Sequence, residues 1–123
     1  IEFCKKNDLK TFSPQPNNIW CDKVIILDPY DWVNYLYSCK YVFTSSFHAT
    51  IFSIKFRKNF IYFYDFWSFN KVIDILEFLN IKNNYFIDDN SFRFLKDEWN
   101  SNEIFKNNIE KLVKNSNEFL NNI

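Results

Sequence analysis

Glycine is absent from the 123 residues, and methionine is absent too. Without glycine there is no P-loop, no GxGxxG turn and no other loop that cradles phosphate by close backbone approach, so nucleotide sites of that kind are excluded here. Turns that need positive φ fall to asparagine, and the pairs Asn17 with Asn18 and Asn83 with Asn84 are placed for it. Cysteine is scarce and odd in number, at Cys4, Cys21 and Cys39, with no CxxC spacing and one histidine in the chain. Neither a disulfide framework nor a zinc site is suggested, no other metal site is indicated, and reduced cytoplasmic thiols are the simpler reading. Fifteen basic residues balance fifteen acidic ones, and neither sign forms a long block. Nucleic acid is therefore not the expected partner. No apolar run approaches the length of about eighteen residues that a membrane span requires, and the N-terminus lacks a signal-peptide pattern. A start at IEFCKK without methionine reads as a piece of a longer protein, one domain over 1–123.

What is plentiful is asparagine, lysine, isoleucine and phenylalanine, arranged in short periodic runs. KVIIL at 23–27 is β-branched and apolar throughout, as expected of a strand buried on both faces. Asp28 then caps a helix with Pro29 at its first position and Asp31 near its positive end, placing Trp32, Tyr35 and Leu36 on one face. YVFT at 41–44 predicts a second strand, and Ser45 and Ser46 the turn into a helix carrying Phe47, Ile51 and Ile54 inward. NFIYFY at 59–64 predicts a third strand. The helix after it has Ser68 as a cap and Val72, Ile75, Leu76 and Leu79 on one stripe. From 83 to 100 the pattern loosens into a mixed polar and aromatic connection. A last helix starts near Asn100, with Glu103 completing a capping box, and carries Phe105, Ile109, Leu112, Phe119 and Ile123. Strands alternating with helices call for an α/β fold, a doubly wound parallel sheet with right-handed crossovers and helices on both faces.

In such a sheet, ligands bind beyond the carboxyl ends of the strands. Thr44, Ser45 and Ser46 fall there, and the free N–H groups of the helix starting near Phe47 could hold a phosphate or carboxylate together with the serine hydroxyls. His48 lies in the first turn of that helix, where a bound anion favours the imidazolium; it suits a general acid or an anion clamp. From position alone the plainer reading is preferred, a half-buried His48 bonded to a carbonyl beside a simple serine cap. Lys55, Arg57 and Lys58, at the far end of the helix, complement its dipole. Lys71, in the first turn of the next helix, is mildly unfavourable there and faces the same end of the sheet, so a functional role and a bland one weigh equally for it. Asp65, just past the third strand, is either a crevice residue or a solvated loop residue. Tyr62, Tyr64, Phe66 and Trp67 could stack on a sugar, but core and rim packing more often explains such residues. Asp88 and Asp89 read as a loop rather than an acid/base pair, and no Ser-His-Asp order is defensible.

The run LDPYDWVNYLYSCKYVFTSSFHATIFSIKFRKNFIYF resembles the C-terminal part of the polysaccharide pyruvyl transferase family. Members often read S/D-P-x-E-W followed by A-x-x-V-x-T-D/S-S-F-H-G-T-x-F-S-I-x-F-x-K-x-F-I. Downstream, NKVIDILEFLNI is similar to the family's S-R-I-x-D-L-L-x-x-L-G-L, and NSNEFLNNI to its S-x-x-F-L ending. The resemblance implies a Rossmann-like C-terminal half of a two-domain, GT-B-like fold, lacking here its N-terminal domain. It implies pyruvyl transfer from phosphoenolpyruvate, with no cofactor, to sugar hydroxyls of a glycan or lipid-linked acceptor, forming a ketal in a cell-surface polysaccharide. By that resemblance His48 matches a donor-site histidine, and Lys71 stands where an arginine is usual and would serve the donor phosphate. Ala49 replaces the common glycine after the histidine, Ser46 a residue that is basic in some members, and Asn84 a frequent arginine. Alone, the half-site is expected to be inactive. The readings from other classes are a non-catalytic α/β binding module in which His48 merely packs, and a GT-B sugar-nucleotide glycosyltransferase.

Overall fold

The computed structural model of the chain describes residues 2–81, 85, 86 and 103–122. It forms two compact units, one up to Ser38 and one from Cys39 onward.

The first unit begins with α1 (Glu2–Lys6), followed by β1 (Phe12–Ser13), β2 (Lys23–Val24) and α2 (Pro29–Ser38). β1 and β2 pair in parallel, Phe12 with Lys23 and Ser13 with Val24. The pairing is clamped at its start by Asp22, whose Oδ2 accepts from the Thr11 amide at 2.7 Å and the Thr11 hydroxyl at 2.9 Å, while the Asp22 amide donates back to Thr11 Oγ1 at 3.0 Å. The strand expected at 23–27 is thus only two residues long. It is not buried on both faces: Val24 is partly exposed and Ile26 is 87 % exposed. Its setting is a two-stranded ribbon with β1, not the interior of a larger sheet. α2 begins as its sequence dictates. Asp28 Oδ1 accepts from the Tyr30 and Asp31 amides at 2.8 and 2.9 Å, Pro29 occupies the first helical position, Leu36 is buried, and the Tyr35 ring packs on Phe12 with centroids 5.1 Å apart.

The second unit runs β3 (Tyr41–Thr44), α3 (Phe47–Lys55), β4 (Asn59–Phe63), α4 (Phe69–Phe78), β5 (Tyr85–Phe86) and α5 (Glu103–Asn121). Its sheet is parallel in the order β3-β4-β5. The bounds of β3, α3, β4 and α4 follow the sequence reading closely, because each carries a local signal, helical spacing in α3 and α4 and a short apolar run in β3 and β4. β5 was not foreseen: two residues inside a mixed polar and aromatic connection give no alternating signal, and they form a strand because β4 offers Tyr62 and Phe63 to pair with. The single sheet expected to run from KVIIL through NFIYFY is instead two sheets, since β2 pairs with β1 and β3 with β4. An α/β architecture with parallel strands stands.

Alternation along β4 sorts its side chains. Phe60 and Tyr62 point to one face, where they meet Ile54 of α3, Val72 and Leu76 of α4, and Leu79 and Ile81 just beyond it. Burying each such side chain stabilises the fold by about 1.5–3 kcal/mol before entropy is counted. α3 and α4 pack on one another, as consecutive crossovers of one hand require when strand order is also consecutive. On the other face Phe43 stacks on Phe63 with centroids 6.3 Å apart, and Ile61 is buried. Both faces of this sheet are therefore apolar. From α5, Ile109 packs on the cluster and Asn108 Nδ2 donates to the Phe78 carbonyl at 2.6 Å, whereas Phe119 and Leu120 are largely exposed. Asn100, Phe105, Ile123 and the pair Asp88 and Asp89, all named from the sequence, lie outside the described residues or side chains.

Positive φ falls on Asp8 (51°), Arg57 (52°) and Asn80 (58°), not on Asn17 or Asn18; Asn83 and Asn84 lie outside the described residues. Each of the three ends a helix. Leu9 N donates to Cys4 O, Lys58 N to Ser53 O and Ile81 N to Leu76 O, all at 2.8 Å, while the residue before each donates three back. This is the Schellman closure, usually made by glycine. The helix ends choose these positions, and the chain fills them with whatever polar residue it has.

Candidate functional site

β3 and β4 run out at the same edge, since Thr44 lies in register with Tyr62. Two loops leave that edge. The first spans only Ser45 and Ser46 before α3 begins. Thr44 Oγ1 accepts from the Ser46 amide at 2.9 Å and turns the chain. Ser46, with φ −87° and ψ 132°, is the N-cap: its Oγ accepts from the Ala49 amide at 3.4 Å and its carbonyl from the Thr50 hydroxyl and amide at 2.9 and 3.1 Å. Both hydroxyls are engaged as acceptors, so each keeps a proton to donate. The amides of Phe47 and His48, in the first turn, have no carbonyl one turn earlier within the helix.

Phe47 and His48 differ in exposure. Phe47 packs against the core cluster, while His48 is exposed and meets the Phe47 ring edge-on at 5.8 Å and 78°. A half-buried histidine held by a neighbouring carbonyl is thus not what the fold builds. Ala49 is 6 % exposed, so its methyl is taken up in packing.

The second loop, 64–68, is fixed by hydrogen bonds of its own. Asp65 Oδ2 accepts from the Ser68 amide and hydroxyl, each at 3.0 Å, and the Asp65 carbonyl from the Phe69 amide at 2.9 Å. Asp65 therefore closes the turn into α4, a task the sequence assigned to Ser68, whose side chain makes no cap bond. The Ser68 hydroxyl lies instead 3.0 Å from the Ser45 carbonyl and 2.6 Å from the Tyr62 hydroxyl. Two of its partners, the Ser45 carbonyl and the Asp65 carboxylate, can only accept. Ser68 thus shares its one proton between them, and Tyr62 donates to Ser68. The two loops are tied together by this bond. Sequence reasoning placed Tyr62 among the packing aromatics and missed its polar role; the signal was a buried-strand tyrosine, whose hydroxyl needs a partner.

The structure thus brings Thr44, Ser45, Ser46, Phe47, His48 and Asp65 to one edge, with Asp65 serving the backbone. Lys71 stands exposed in the first turn of α4, the helix that the second loop enters. Among the described residues no group of three or more histidine, cysteine or acidic side chains is arranged to hold a metal ion, and no helix is long and apolar enough to cross a membrane.

No curated protein and no solved structure matches the chain. A family model described as Polysaccharide pyruvyl transferase matches residues 2–65, just over half of the chain. That span includes the turn from Thr44 to His48 and ends at Asp65; Lys71 and the downstream runs at 70–81 and 115–123 lie beyond it. With its TSSFH turn inside the matched span, the chain belongs to the polysaccharide pyruvyl transferase family.

Proposed function

We propose that this chain supplies the donor half of a site that transfers a pyruvyl group from phosphoenolpyruvate to the hydroxyls of a glycan or lipid-linked sugar. The observation that carries the reading is the exposed His48 on the capped N-terminal turn of α3, at the edge where two parallel strands run out. Helix amides and the hydroxyls of Thr44, Ser45 and Ser46 suit the carboxylate and phosphate of the donor, and Lys71 adds a cation from the next helix. His48 delivers a proton to the methylene carbon as positive charge develops at the adjacent carbon. One sugar hydroxyl bonds to that carbon, the C–O bond to phosphate breaks, and a second hydroxyl closes the ketal. Of the two hydroxyl protons, one returns to His48 and one leaves with the phosphate.

The apolar second face of the β3-β4-β5 sheet, with Phe43 on Phe63, suits a sheet covered on both sides. It supports the doubly wound reading; in the GT-B-like form of that reading a second domain completes the cleft, and the proposed setting of the reaction is the cytoplasm. Thermal unfolding of the full-length protein tests the donor assignment. Phosphoenolpyruvate should raise the midpoint, and His48→Ala and Lys71→Ala should each diminish that rise. Stabilisation by a nucleotide-sugar alone would identify a glycosyltransferase, and stabilisation by neither a non-catalytic module.

A further inference from the structure

The loop between β4 and α4 presents two large rings to solvent: Phe66 is 73 % exposed and Trp67 85 %. Their exposure is not fraying. Asp65 and Ser68 bond within the loop, Ser68 is held by Tyr62 and by the Ser45 carbonyl, and Tyr64 packs on Phe69 with centroids 4.9 Å apart. The two free rings meet edge-on at 5.4 Å and 88°, forming a corner on a fixed backbone.

We infer that the Phe66 and Trp67 corner is the platform on which the acceptor glycan lies, an assignment that rests on the proposed transfer to sugar hydroxyls. A pyranose ring has an apolar C–H face and a hydroxyl rim, so it pairs with a flat aromatic surface that asks nothing of its polar groups. Large rings with two side-chain torsions on a fixed loop lose little entropy on binding. Position supplies the second argument. Trp67 precedes Ser68, whose hydroxyl contacts Ser45, and Ser45 stands three residues before His48. A sugar resting on the corner is thus held by the loop that is bonded directly to the donor turn. The family to which the chain belongs takes its description from a polysaccharide, the ligand class such a corner fits. Within the loop Asp65 Oδ2 is committed to Ser68, and the two rings supply the apolar contact.

The test uses the full-length protein with Trp67→Ala, Trp67→Phe and Phe66→Ala. Binding is read without phosphoenolpyruvate on an array of hexose and N-acetylhexosamine oligosaccharides, and KM for acceptor and donor in turnover. Trp67→Ala should weaken glycan binding and raise acceptor KM about tenfold. Donor KM should stay within about twofold, and Trp67→Phe should recover most of the loss. Unaltered glycan binding in Trp67→Ala and Phe66→Ala, or no oligosaccharide bound by the wild type, overturns the inference. So does a marked fall in unfolding temperature in both alanine variants, which would assign the corner to contact with another part of the protein. Glycan binding lost with Trp67→Ala in a protein that phosphoenolpyruvate does not stabilise would reject the donor assignment and leave this one standing.

Discussion

The Ser68 hydroxyl, six residues along the chain from Tyr62, sits 2.6 Å from the Tyr62 hydroxyl and 3.0 Å from the Ser45 carbonyl, joining a fully buried strand residue to the exposed turn before α3. This is how the core reaches the candidate site: the strand sets the position of the serine, and the serine sets the position of the turn.

Tyr62→Phe removes the donated bond and changes little else in volume. Urea unfolding should report a loss of about 1 kcal/mol. Ser68→Ala should cost at least as much, because it leaves the buried Tyr62 hydroxyl without its partner. A loss in Tyr62→Phe indistinguishable from zero would mean that the contact carries no energy in solution.

Ser46 separates capping from ligand binding. Ser46→Ala should destabilise by about 1 kcal/mol. Ser46→Asp keeps an N-cap and favours the helix dipole, so its stability should match or exceed the wild type; stabilisation by phosphoenolpyruvate should nonetheless fall, since a carboxylate now opposes the anion. Equal stabilisation of Ser46→Asp and wild type by phosphoenolpyruvate would place the anion elsewhere.

Asn80 tests the helix ends. With φ at 58°, Asn80→Ala should cost about 1 kcal/mol, whereas Asn80→Gly should be neutral or slightly stabilising. Chemical denaturation of the two variants measures the difference, and equal stabilities would contradict the closure described at the end of α4.

Asp22 gives the first unit a pH dependence. The Thr11 amide and hydroxyl hold its carboxyl below the usual carboxylate range. A depressed carboxyl contributes stability above its unfolded value, near 3.8, and that contribution is lost as pH falls through the lower folded value. Asp22→Asn should therefore flatten the acid side of the stability curve, and an unchanged acid limb would show that the clamp does not survive in solution.

Much of the second unit was legible because its signals are local. Phe47, Ile51 and Ile54 recur at helical spacing, and NFIYFY is a short apolar and aromatic run of strand length, so α3 and β4 could be read with no knowledge of their partners. β1 and β5 were not, since two-residue strands exist only through distant pairing, Phe12 with Lys23 and Tyr62 with Tyr85. In the site, Thr44 through His48 could be placed from the strand-to-helix pattern. The exchange of tasks between Asp65 and Ser68 could not: which side chain caps α4 depends on Tyr62 and Ser45 claiming the serine hydroxyl first.

The glycine-free helix endings bear on how kinship to this chain can be detected. At two of them a polar residue in the left-handed region is followed by an apolar one, Asp8 by Leu9 and Asn80 by Ile81, and the hydrogen bonds ask nothing of the polar residue's identity. Compositional drift can therefore rewrite these corners while leaving the architecture intact. At the third, Lys58 follows Arg57, so neither a glycine nor an apolar follower is what these endings demand, and kinship is not to be traced through them.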